Sequence, residues 1–375
     1  MKSVLLSFYF PRSIRHEGAG TLLDSLGRVL VNRGYRVTVF APLDVGEEAP
    51  YTIVGYTQEG STSYRTYLRG LEEMAGGHDR VVLFQNSPVR LPFTPRTIRD
   101  HTNVIHYFGS PCQPFSELFR PPYSFQYLKH WLAKNALWAK LNPPGKSHCI
   151  VGTQYQKDQL LRLGVSEGLV HVIPLGLAQL NQKHLPRKRA REYYSLPEGP
   201  LIGYLGHYSP IKGVPVLLSA FEQLVQRMPE ARLALAWSGK GEDAARVKRM
   251  MDKEPLRERV SQMGIVDANV FLSALDVCVL PFVHSSFPHF PLVLLEAFAA
   301  GTPVITSDLG GLSEIVEDGT TGLLVAPDDP EALAAAMREI LEDADLRNQI
   351  SQNQKEAFET NFSIEAVFDR LEELL

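Results

Sequence analysis

The sequence predicts an α/β fold arranged as two doubly wound, Rossmann-like domains. Three observations lead there. Residues 2–42 run strand, glycine-bearing loop, helix, strand, which is a βαβ unit. Residues 276–308 form a second strand–helix–strand unit. The chain of 375 residues is long for one core, and its halves differ in charge: 1–175 carry 19 Lys and Arg against 13 Asp and Glu, whereas 176–375 carry 19 against 29. A basic domain suited to an anionic partner is therefore expected ahead of an acidic one.

Composition narrows the class. Hydrophobic residues at 44% and charged residues at 21% are those of an ordinary globular protein. Cys112, Cys149 and Cys278 form no CxxC or metal spacing, so a reducing compartment is expected. VLLSFYF (4–10) is too short for a membrane span and lacks a small-residue cleavage site, so it reads as a buried strand and not a signal peptide. No span, no internal repeat and no nucleic-acid partner are expected.

In chain order, residues 2–8 are the first strand and PRSIRHEGAG (11–20) is a loop, whose Gly18 and Gly20 let the backbone approach a phosphate closely. Leu22, Leu23, Leu26, Val29 and Leu30 mark a helix closed by Gly34, and YRVTVFAP (35–42) is the next strand. That strand ends without an acidic residue, so the GxG is not a dinucleotide fingerprint. DRVVLFQNSP (79–88) and NVIHYFGSP (103–111) are strands running into loops. This puts Asn86, Ser87 and His106 at the carboxyl edge, where open α/β sheets bind ligands. Over 125–141, Tyr127, Trp131 and Trp138 alternate with Lys129, Lys134 and Lys140. This reads either as a basic amphipathic helix on an anionic membrane surface or, the plainer and preferred reading, as a helix packed on the sheet with its lysines in water. SHCIVGT (147–153) is a strand, VHVIPLGL (170–177) leaves the first domain, and 182–200 is a polar linker and helix.

In the second half, LIGYLG (201–206) is a strand, HYSPIKGVP a loop, and Pro215 opens a helix. ARLALAWSG (231–239) and VSQMGIV (260–266) follow, then the small helix in DANVFLSAL and the buried strand DVCVLPF (276–282). Pro291 opens a short helix and Gly301 closes it. Backbone N–H groups of Leu292 and Val293 point out of its start, where an anion can sit. Glu296 is the one charged residue between Pro288 and Ser307, and a carboxylate in an apolar helix needs hydrogen-bond donors. From the residues alone two readings stand: a phosphate at the helix start with a carboxylate facing hydroxyls one turn further in, or a buried unit whose Glu satisfies a nearby loop. The C-terminal IEAVFDRLEELL (364–375) is an amphipathic helix.

EAFAAGTPVI (296–305), GGLSEIV (310–316) and DGTTGLLV (318–325) closely resemble the donor-binding segment of the retaining nucleotide-sugar glycosyltransferases of the GT-B fold, family 4, also called glycosyl transferases group 1. The resemblance implies two Rossmann-like domains facing a cleft. Residues 1–178 would bind the acceptor, 179–357 the nucleotide sugar, and 358–375 would form a helix returning to the first domain. It implies His106, Lys212 and Glu296 as the catalytic set. Donor contacts would come from Gly18 and Gly20 facing the diphosphate, His207 and Lys212 on it, Leu292 and Val293 at the phosphate, Val266 at the base and Glu296 on the ribose hydroxyls. The sequence departs from the family at His207, where an arginine is usual, at Pro288, where the first of two glutamates is usual, and at Pro291, where a glycine is usual. The implied reaction is transfer with retention by front-face attack, the leaving phosphate taking the acceptor proton. No metal and no cofactor are expected beyond a UDP- or GDP-type sugar as co-substrate. The acceptor would be a glycan, a lipid-linked or a small molecule, as in polysaccharide or glycolipid biosynthesis. A cytoplasmic protein is expected, with peripheral contact to the inner face of the membrane through 125–141 as the alternative to the packed helix. Pro288 and His207 also motivate a competing expectation, a catalytically silent nucleotide-sugar-binding or partner subunit.

Overall fold

The computed structural model describes residues 1–9, 18–41, 49–55, 64–85, 95–99, 101–109, 145–178, 185–207, 209–238, 242–284 and 291–375. Residues 1–180 with 361–375 form one compact unit, and 181–287 with 291–360 form the other. The expected boundaries lay at 178 and 357.

The first unit is a seven-stranded sheet in the order β3-β2-β1-β4-β5-β6-β7, with every pairing parallel. Its elements are β1 (Ser3–Phe8), α1 (Gly18–Asn32), β2 (Arg36–Ala41), β3 (Thr52–Gly55), α2 (Tyr64–Ala75), β4 (Arg80–Gln85), α3 (Arg96–Arg99), β5 (Val104–Phe108), β6 (His148–Val151), α4 (Gln154–Arg162) and β7 (Val170–Val172). β1 is buried along its whole length, which is why it reads as an unbroken apolar run: a parallel strand has both faces covered. Two expectations need correction. Gly18 and Gly20 lie in the first turn of α1 and not in a loop. His106 lies inside β5, in register with Leu83 and Cys149, and not at the strand's carboxyl end.

The second unit is a six-stranded sheet in the order β10-β9-β8-β11-β12-β13, again all parallel. Its elements are α5 (Arg187–Tyr194), β8 (Leu201–His207), α6 (Val214–Val225), β9 (Arg232–Ser238), α7 (Glu242–Met251), β10 (Val260–Met263), α8 (Ala268–Ala274), β11 (Val277–Leu280), α9 (Leu292–Ala300), β12 (Val304–Ser307), β13 (Leu323–Val325), α10 (Pro330–Glu342) and α11 (Ala344–Ala357). The last helix, α12 (Ile364–Glu372), returns to the first unit as expected. Arg33 pairs with Asp369 at 2.8 Å and lies over the Phe368 ring, while Tyr35 donates to Glu372. Among the described residues no helix is long and apolar enough to cross a membrane.

The region 182–200, read as linker and helix, is anchored by charge. Buried Arg191 donates to Asp276 at 2.8 Å and to the carbonyls of Ala274 and Gly199 at 2.9 Å. Asp276 also accepts from Leu201 N–H at 2.8 Å and pairs with Arg187 at 2.9 Å. This ties α5 to the starts of β8 and β11. Removing one partner of such a pair leaves a buried charge uncompensated, at a cost of about 3–5 kcal/mol. Asp276→Ala is expected to lose stability on that scale in urea denaturation. Joint replacement of Arg191 by Met and Asp276 by Leu is expected to lose much less.

Candidate active site

The second unit has a topological switch beside β8. β9 pairs with it on one side and β11 on the other, and open α/β sheets bind ligands where the loops leave two such strands, here β8 and β11. Their bases touch. Val283 N–H donates to Ile211 O at 3.0 Å, and Gly213 packs against the Pro281 carbonyl. At Gly213, φ is +69° and a Cβ would overlap the Pro281 oxygen, so no other residue fits. The Lys-Gly pair is thus set by packing as well as by any ligand. Lys212 closes a short 3₁₀ turn (Pro210–Lys212), and its ammonium folds back over Gly206, 3.2 Å from where a Cβ would stand. His207 ends β8 and is exposed. Lys212 and His207 therefore share the carboxyl edge at the switch.

α9 starts on the same edge, after β11. Pro291 is its N-cap and lies one position outside the helix, where it was expected to be the first helical residue. It has no N–H, and no side chain caps the helix. Leu292 and Val293 are the first two helical residues, as the anion reading requires. Gly301 closes α9 at φ +65°, against Ser351 and Lys355 of α11.

Glu296 sits mid-helix among buried Leu294, Leu295, Ala297 and Phe298. Among the described residues no hydrogen bond or ion pair reaches its carboxylate. Its pKa is pushed up to about 7, first by burial and then by the negative charge of Asp267. Asp267 is the N-cap of α8, accepting from the N–H groups of Asn269 and Val270 at 3.0 and 3.2 Å. The Cys278 thiol of β11 is raised to about 12 by burial and by Glu296. Glu296 therefore lies between β11 and the β10–α8 turn, which carries half-buried Val266. Asp267 was missed as a neighbour, although an Asp ahead of a short helical run is an ordinary capping signal.

The sequence-expected residues thus divide. His207, Lys212, Leu292 and Val293 stand at the switch edge of the second unit, and Val266 directly precedes Asp267 in the β10–α8 turn. Gly18 and Gly20 start α1 at the end of β1 in the first unit. His106 is fully buried and stacks on Phe108 at 5.9 Å, so it presents no surface to a substrate in this structure. Asn86, Ser87, Pro288 and 125–141 lie outside the described residues. No group of three metal-ligating side chains occurs among the described residues. The Asp343–Ala344–Asp345 triplet is an Asp-x-Asp, but Asp343 caps α11 through the N–H groups of Asp345 and Leu346.

Two units, each a parallel sheet flanked by helices, are the architecture of the GT-B class of α/β protein. Residues 199–343, within the second unit, match the family Glycosyl transferases group 1, and the motifs that carry the resemblance lie inside that match. An alpha-D-kanosaminyltransferase of Streptomyces kanamyceticus is 27% identical over 241 residues, 63% of this chain and 62% of that relative's length. The sucrose-phosphate synthase structure from Thermosynechococcus elongatus superposes with a TM-score of 0.76 at 22% identity, covering 100% of this chain and 98% of that one. Anabaena HepE in complex with UDP-glucose gives 0.75 at 18% identity, covering 100% and 99%. At these identities the structures share the fold.

The unpaired carboxylate yields a pH prediction. Folding raises the Glu296 pKa from 4.5 to about 7, so the fold favours the neutral acid. That contribution is fully present below pH 4.5 and is lost as pH rises through about 7. Glu296→Gln, always neutral, should melt higher than wild type at pH 8 and nearly alike at pH 4.5. Equal melting shifts at both pH values would contradict the assigned burial of the charge.

Proposed function

We propose that this chain is a retaining, metal-independent glycosyltransferase that moves a sugar from a UDP- or GDP-type donor to a glycan, lipid-linked or small-molecule acceptor. The observation that carries the reading is the Glu296 carboxylate, which has no partner among the described residues, on a helix whose start, without a side-chain cap, lies at the switch-point edge. A nucleoside supplies what is missing: ribose hydroxyls donate to Glu296 and the base lies along the backbone near Val266. The diphosphate then reaches the amides of Leu292 and Val293, with Lys212 and His207 beside it. The UDP-glucose bound by the structural neighbour supports this donor class.

The chemistry is electrostatic. The bond from the anomeric carbon to the diphosphate breaks as the acceptor oxygen bonds to the same face, and the leaving phosphate oxygen takes the acceptor proton. Negative charge grows on the diphosphate, where the Lys212 ammonium and the helix-start amides stabilise it. The basic first unit holds the acceptor. The protein works in the cytoplasm, with 125–141 contacting the inner membrane face when the acceptor is lipid-linked. A second reading, a silent nucleotide-sugar-binding subunit, is favoured by His207, an imidazole at the position where the family usually carries an arginine.

A thermal-shift panel of UDP, GDP and their sugars tests the reading, since a ligand at ~100 times its dissociation constant adds about 2.7 kcal/mol. Lys212→Ala should weaken binding and transfer together, by on the order of 2–4 kcal/mol. A melting temperature that responds to no nucleoside diphosphate would sink the proposal. Firm binding without release of free nucleoside diphosphate from any donor–acceptor mixture would favour the silent subunit.

A further inference from the structure

The turn between β10 and α8 carries Val266 and Asp267, and it is thinly held. Among the described residues no hydrogen bond reaches the backbone of Ile265 or Val266. Ile265 is 81% exposed, and Val266 is half-buried. What fixes the turn is the peptide of Asp267, gripped by the last residue of α5. The Asp267 N–H donates to the Tyr194 hydroxyl at 2.8 Å, and that hydroxyl donates back to the Asp267 carbonyl at 3.4 Å. A phenol can do both, since its oxygen accepts while its proton donates. The two residues are 73 positions apart, so the contact is tertiary and not a local turn.

Tyr194 is itself firmly placed. Its ring meets the buried Phe271 of α8 edge-on, with centroids 6.3 Å apart at 76°, and Tyr193 lies across it at 4.9 Å and 85°. One turn back on α5, Arg191 donates to the carbonyl of Ala274, the last residue of α8. α5 therefore spans α8 from its final carbonyl to its N-cap. A phenylalanine would pack on Phe271 as well as a tyrosine does, so what the hydroxyl adds is its hold on one peptide. We propose, on the basis of the glycosyltransferase reading, that Tyr194 is a positioning residue for the donor: its hydroxyl holds the Asp267 peptide and so sets where the backbone of Val266 meets the base. The Val266 N–H and carbonyl are a donor and an acceptor of the kind a base edge pairs with. Such bonds weaken steeply with poor alignment, so a small shift of the turn is enough to blur the reading.

Calorimetry of UDP, CDP, GDP and ADP with wild type, Tyr194→Phe and Tyr193→Phe tests this, with the melting temperature of each protein alongside. UDP and CDP, like GDP and ADP, differ at the hydrogen-bonding edge of the base. Tyr194→Phe keeps the ring on Phe271 and should melt close to wild type. It should bind the preferred nucleotide about threefold to tenfold more weakly, the loss expected for a hydrogen bond, and discriminate less between it and its base-edge counterpart. A merely structural role would not move that ratio. Tyr193→Phe, whose hydroxyl makes no hydrogen bond among the described residues, should match wild type in affinity and in discrimination. Discrimination unchanged in Tyr194→Phe, or changed alike in Tyr193→Phe, would overturn the positioning role and leave the hydroxyl as a staple between two helices. Failure of all four nucleotides to bind wild type would overturn the glycosyltransferase reading, and this role with it.

Discussion

A carboxylate without a partner among the described residues, on an apolar helix, is the constraint on which the reading of the second unit depends. Burying a charge without donors is expensive, and the protein meets part of that cost by holding Glu296 near neutrality, with a pKa of about 7. Nothing in the packing of α9 needs a glutamate there. Leu294, Leu295, Ala297 and Phe298 already fill the interior side of the helix. Packing alone therefore does not account for a glutamate at this position, which is why the proposed function assigns it a ligand.

The rest of the crevice is fixed by backbone, not by side chains. Gly213 reaches the Pro281 carbonyl because it lacks a Cβ and can adopt a positive φ, and this contact seats the loop after β8 on the end of β11. Lys212, the preceding residue, is thereby placed at the switch whatever its own side chain does. Pro291 performs a similar service at α9. Its φ of −65° suits a helix entry, and it brings no N–H of its own to be left unsatisfied there. The functional groups therefore stand on strand ends and helix starts whose positions the sheet dictates.

Much of this was legible in the sequence, and the failures are instructive. The strand–helix–strand unit around Glu296 was readable because Pro, Gly and apolar runs punctuate it clearly. Gly18 and Gly20 were read as a loop because glycine is a poor helix former. They are helical because α1 is held by its buried Leu23, Leu26 and Leu30, and tertiary packing overrides propensity in its first turn. His106 was set at a strand's end because NVIHYFGSP does not mark where its strand stops. Pairing with β4 and β6 carries β5 on to Phe108 and buries the histidine. The short edge strand β3 and the closeness of Asp267 to Glu296 depend on contacts between distant segments, which no local pattern records.

The central claim is that Glu296 is held for a nucleoside. Hydrogen bonds from ribose hydroxyls favour the ionised carboxylate, so binding should lower its pKa and expel a proton near pH 7. Calorimetric titration of UDP or GDP into the protein at pH 7, repeated in two buffers of different ionisation enthalpy, counts that proton. The account predicts more proton release by wild type than by Glu296→Gln, because the difference between them removes any contribution from His207. Equal proton counts for the two proteins, with binding intact in both, would contradict it.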